Sequence, residues 1–108
     1  MKELKGSQKK YLRGLAHDLK PAAFVGQKGV TTALINEVNQ GLDANELIKV
    51  KFVEFKERGI KEELAVEIAT QTQSYLTGLI GHVAIYYRQN KDAKKRKIVI
   101  PMSLLWVV

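Results

Sequence analysis

Gly26, Gln27, Lys28 and Gly29 stand between a short apolar run, Ala22 to Val25, and a stretch of helical periodicity that opens at Thr31 or Thr32. That setting suits an anion. Glycines without a β-carbon let a ligand come close, the first amides of a helix lack helical partners, and Lys28 adds a full positive charge. Thr31 and Thr32 belong to the same candidate site, since either hydroxyl can cap the helix. Two glycines three apart are also an ordinary turn signal, so the chemistry rests on the passage from strand to helix.

Cations supply the second element. Lys9, Lys10, Arg13 and Lys20 precede the loop, and Arg88, Lys95 and Arg96 follow far behind it. The net charge is +7 and the pI about 9.7, with the excess confined to residues 1–28 and 88–97, while the middle of the chain is mildly acidic. A localised basic footprint fits a polyanion held by its phosphates, a salt-sensitive grip with little sequence discrimination. The alternative is a pair of solvated faces that keep the chain soluble.

Catalysis finds little support. His17 and Asp18 are adjacent, and neighbouring helical residues point about 100° apart. His82 falls in a turn, and neither a nucleophile with a base nor a metal cluster is present. Tyr86 and Tyr87 point to opposite faces of one strand, where packing is the simpler role and stacking on a base the sharper one. No cofactor, small-molecule substrate or membrane partner is implied. Cysteine is absent and no apolar stretch approaches a membrane span, which fits a cytoplasmic protein.

Stepping along the chain, Ser7 reads as the cap of a first helix. Its core side carries Tyr11, Leu12, Leu15, Ala16 and Leu19, and the opposite side carries Lys9, Lys10, Arg13, His17 and Lys20; Pro21 ends it. Ala22 to Val25 reads as a buried strand. Leu34, Ile35, Val38 and Leu42 give one face of a second helix, with a turn at Asp43 to Asn45. Leu47 to Phe55 alternates as a half-buried strand, and Arg58 with Gly59 turns the chain. A third helix then buries Ile60, Leu64, Ala65, Ile68 and Ala69.

Tyr75 to Ile80 and Val83 to Tyr87 form a hairpin around Gly81 and His82. Lys91 to Lys97 is a charged loop, and Ile98 to Pro101 is placed as a short edge segment. The order α-β-α-β-α-β-β predicts a layered α/β domain with a four-stranded mixed sheet. Right-handed crossovers put helices two and three on one face and helix one on the other. Residues 1–101 form one domain and residues 102–108 an apolar tail, which offers either a cover for the core or a surface for weak self-association.

The residues Tyr11-Leu12-Arg13-Gly14-Leu15-Ala16-His17, Leu19-Lys20-Pro21 and Val25-Gly26-Gln27-Lys28-Gly29-Val30-Thr31 together resemble the CRM (chloroplast RNA splicing and ribosome maturation) domain family. Leu42-Asp43, Glu46 to Lys51, Ile80-Gly81, Tyr87-Arg88 and Lys97-Ile98 before Pro101 extend the match, and the single unit is similar to the stand-alone bacterial YhbY-like members. The resemblance implies a fold related to the C-terminal domain of translation initiation factor 3 and a KH-like GxxG loop formed by Gly26 to Gly29. It also implies binding to rRNA in precursors of the large ribosomal subunit. The resemblance implies a basic residue at this loop position in many relatives, where this chain has Gln27. The competing expectation is a protein-interaction module that docks an acidic partner; an RNA-processing enzyme using His17 ranks third.

Overall fold

Buried side chains fall into two groups, one on each face of a four-stranded sheet. The computed structural model describes residues 3–55 and 57–101, so the expected tail at 102–108 lies outside the described residues. In chain order the elements are α1 (Gly6–Ala16), β1 (Pro21–Val25), α2 (Thr32–Asn45), β2 (Leu47–Phe52), α3 (Arg58–Thr72), β3 (Tyr75–Ile80) and β4 (Val83–Tyr87), followed by a 3-10 turn at Ala93–Lys95.

The sheet order is β1-β2-β4-β3, with β1 and β2 parallel and β4 antiparallel to both neighbours. The hairpin thus inserts β4 between β2 and β3. Alternation along β2 sends Ile48, Val50 and Phe52 to one face, where they meet Leu34, Val38 and Leu42 of α2 and Ala65 and Ile68 of α3. On the other face Leu12 and Ala16 of α1 meet Leu47, Ile85 and Tyr87. The predicted α/β layering, with helices on both faces, is what forms.

Tyr86 and Tyr87 are both buried, one on each face. The Tyr86 hydroxyl donates to the carbonyl of Ala65 at 2.8 Å, and burial pushes its pKa strongly upward. The Tyr87 ring stacks on Tyr75, with centroids 6.3 Å apart. Both serve as packing residues.

Several local expectations need correction. Lys5, not Ser7, precedes α1, and its backbone N–H donates to Gln8 Oε1 at 2.8 Å. The helix stops at Ala16, well short of Pro21, with the His17 N–H donating to the Gly14 carbonyl at its end. Its buried stripe is Gln8, Leu12 and Ala16, which leaves Leu15 and Leu19 exposed and places Arg13 at the stripe's edge.

Helix α2 runs through Asp43 to Asn45 and ends on Glu46, whose φ of 64° breaks the helix. Arg58 and Gly59 open α3 instead of turning the chain, and the helix buries Lys61 in place of Ile60. Lys61 Nζ donates to the carbonyl of Gly81 and lies 3.2 Å from His82 Nδ1, so a lysine ties α3 to the hairpin. Phe24, in the run expected to be buried, is 55% exposed. Residues 98–101 form no strand, although Ile98 and Ile100 pack against the α1 cluster. No described helix is long and apolar enough to cross a membrane.

Candidate functional site

The loop after β1 is a tight turn. The Gly29 N–H donates to the carbonyl of Gly26 at 3.0 Å, which leaves Gln27 and Lys28 exposed at the tip. Gly29 has φ +69°, a conformation costly for residues with a β-carbon, and the Phe55 ring lies beside it. The loop is braced from below: the carbonyl of Val25 accepts from the N–H of Val53 at 3.0 Å and of Glu54 at 3.3 Å. Val30 then tucks against the core.

Thr31 caps α2, its Oγ1 accepting from the Leu34 N–H at 3.1 Å. The cap fills one of the first amides, and the first helical bond runs from Ile35 N to Thr31 O, so Thr32 and Ala33 carry amides outside the helical ladder. No acidic residue lies in that first turn. An outward tip with a lysine, free amides and the positive end of a helix dipole together favour an anion. The Thr31 hydroxyl is engaged by the cap, and Thr32 is exposed beside it.

The predicted cations do not converge on this turn. Helix α1 spans the sheet from β3, where Arg13 donates to the Thr77 carbonyl at 2.9 Å, towards β2, where Lys49 Nζ donates to the His17 carbonyl at 2.8 Å. Lys9 and Lys10 lie one turn further from β1. Three inter-strand spacings, roughly 14 Å, separate β3 from β1. The Arg13 end of the helix therefore stands three strands from β1, and only its His17 end approaches the strand that leads into the loop. Lys20 sits at the start of β1, a strand's length from Lys28 at its other end.

Arg88, Lys95 and Arg96 are further still. Leu47 pairs with Tyr87 at one end of β2 and Val25 with Phe52 at the other, so the segment after β4 begins roughly 17 Å from the loop end of the sheet. Arg88 is also engaged: its guanidinium donates to Asn39 Oδ1 at 2.8 Å, the Thr72 carbonyl at 2.6 Å and Asp43 Oδ1 at 2.8 Å. It joins β4 to α2 and α3 and is not free for phosphate. Arg96 Nε donates to the Asn90 carbonyl at 2.9 Å, while Lys95 is exposed.

Glu46 is the residue whose importance the sequence reading missed. It is fully buried, and its carboxylate accepts from the backbone N–H groups of Asn90, Lys97 and Ile98. Burial by itself raises its pKa, but those donors and the nearby Arg96 charge outweigh it and hold the carboxyl below its ordinary value. The available signal was an acid directly before an apolar strand. Its partners lie more than forty positions away, where no local pattern reaches.

The CRS1 / YhbY (CRM) domain matches residues 4–88. The chain belongs to the CRM domain family. The chain is 36% identical over 94 residues to a Haemophilus influenzae protein named "RNA-binding protein", covering 87% of this chain and 94% of the relative. It is 35% identical over 92 residues to "Probable RNA-binding protein YqeI" of Bacillus subtilis, covering 85% and 95%. A Staphylococcus aureus protein of 34% identity, whose solution structure is described with a proposed RNA-binding role, superposes with TM-score 0.76 over 90% of this chain and all of that chain. RNA binding is the role these names share.

Proposed function

We propose that this CRM domain is a non-catalytic RNA-binding module that holds RNA by its backbone, with rRNA in precursors of the large ribosomal subunit as its target. The observation that carries the proposal is the Gly26–Gly29 turn, which lifts Gln27 and Lys28 into solvent beside the open amides of α2. The names of the relatives support RNA as the partner. The ribosomal target rests on the family resemblance. Lys9, Lys10 and Arg13 then serve as a second phosphate contact across the sheet, and Lys95 and Arg96 as an outlying one.

Binding of an rRNA fragment, titrated against salt, tests the reading. Lys28→Glu should weaken binding to all sequences and flatten the slope of log affinity against log salt by about one unit. Unchanged affinity and slope would reject the turn as a phosphate seat.

A further inference from the structure

Between α1 and the turn lies a strip of sheet that no described element packs over. Strand register aligns Phe24 of β1 with Lys51 of β2, Lys51 with Val83 of β4, and Val83 with Ile80 of β3. All four point to the face that carries α1. One row towards the other end of the strands, Lys49, Ile85 and Gly78 lie under or against α1, through Lys49's bond to His17, the packing of Ile85 and the Arg13 side chain over Gly78. The row itself is largely open, with Phe24 55% exposed, Ile80 61% exposed, and Lys51 exposed and Val83 half-buried between them.

Single exposed apolar residues are common and signify nothing. Here an aromatic heads a continuous row, flanked in register by a lysine and placed two residues before Gly26 of the turn. Such a surface has a definite complement. A flat aromatic ring matches the face of a nucleobase, and a neighbouring ammonium matches the phosphate on the same nucleotide. A base within a duplex has both faces stacked and cannot lie on Phe24. An unpaired base can.

We propose that Phe24 stacks an unpaired nucleobase adjacent to the phosphate seated on the Gly26–Gly29 turn, so the RNA bound here is single-stranded at that point. Lys51 holds the backbone of the stacked nucleotide, and the strip beyond it leads the strand towards Arg13. The inference rests on the reading of the turn as a phosphate seat and adds a preference for strandedness that phosphate contacts alone do not give.

The full chain and three labelled probes at one salt concentration test it: a single-stranded RNA oligonucleotide, an RNA duplex of equal length, and inorganic polyphosphate, which has charge but no bases. Phe24→Ala should lower affinity for the single strand on the order of tenfold to a hundredfold and leave duplex and polyphosphate binding unchanged. Phe24→Tyr should retain the wild-type preference, while Phe24→Leu, apolar without a ring, should lose it.

Equal loss on all three probes, no loss on any, or full retention by Phe24→Leu would each overturn the stacking role. So would a wild-type dimer in solution that Phe24→Ala dissolves, since a second copy would then be the occupant of the row. Lys28→Glu separates the two readings. If it leaves polyphosphate and duplex binding intact while Phe24→Ala acts on the single strand alone, the turn fails and the platform stands.

Discussion

Arg13 crosses Gly78 so closely that a β-carbon on the glycine would stand 2.5 Å from Cδ of the arginine. The strand is bare where the helix side chain lies over it, and the same guanidinium reaches the neighbouring carbonyl of Thr77. Gly78→Ala should displace Arg13 and lower stability by about 1 kcal/mol, the overpacking penalty exceeding the gain from replacing a strand glycine. In an Arg13→Ala background the clash is gone, and Gly78→Ala should become neutral or stabilising. A double-mutant cycle by urea unfolding measures that coupling; additive effects would show that the two residues do not interact.

In Gly29→Ala the added methyl would make ordinary contact with the Phe55 ring, 3.7 Å from Cε2, but at an unfavourable φ. The expected loss is about 1–2 kcal/mol of stability from the left-handed backbone alone. Relaxation of the turn should also lower RNA affinity at temperatures where the variant remains folded. Melting curves and binding isotherms on the same preparation separate the two effects, and an unshifted melting temperature would show that the turn does not need glycine there.

Arg88→Ala tests whether that arginine belongs to the fold or to the RNA footprint. Its bond to Asp43 contributes little, because the aspartate side chain is 77% exposed. The bonds to Thr72 and Asn39 are better shielded, and losing them should cost about 2 kcal/mol. The salt dependence of RNA binding should not change. A flatter slope with unaltered stability would return Arg88 to the interface.

Glu46 gives the fold an acid limit. Its folded-state pKa lies below the ordinary value of 4.5, so its contribution is fully present above that value and is lost as pH falls through the lower folded one. Glu46→Gln should be less stable than wild type near neutrality and should lose less on acidification. Urea midpoints from about pH 7 down to about pH 3 report both. Parallel curves would remove Glu46 as the source of the acid sensitivity.

The layering was legible in the sequence because alternation along β2 and the glycine-led hairpin are local signals. Right-handed crossovers then fixed which helices share a face. The turn at Gly26–Gly29 was legible for the same reason, lying between a strand and a capped helix. The start of α1 was not, since Lys5, whose backbone N–H donates to the Gln8 side chain, stands where a hydroxyl cap was expected. Lys61 and Ile60 exchanged expected places because a lysine whose ammonium reaches the hairpin can bury its stem. The predicted cations were correctly read as charged but wrongly gathered: strand order, set by where β4 inserts, holds Arg13 and Lys28 on opposite sides of the sheet, and hydrogen bonds over long sequence separations occupy Arg88.

The carboxylate of Glu46 also defines where the chain can be cut. The family match ends at Arg88, yet the donors that satisfy this acid lie beyond it, at Asn90, Lys97 and Ile98. A fragment trimmed to the matched residues would leave this carboxylate without the three amides that hydrogen-bond to it. A truncation therefore has to keep the chain through at least Ile98, and a shortened form ending at Arg88 should be handled as a damaged protein.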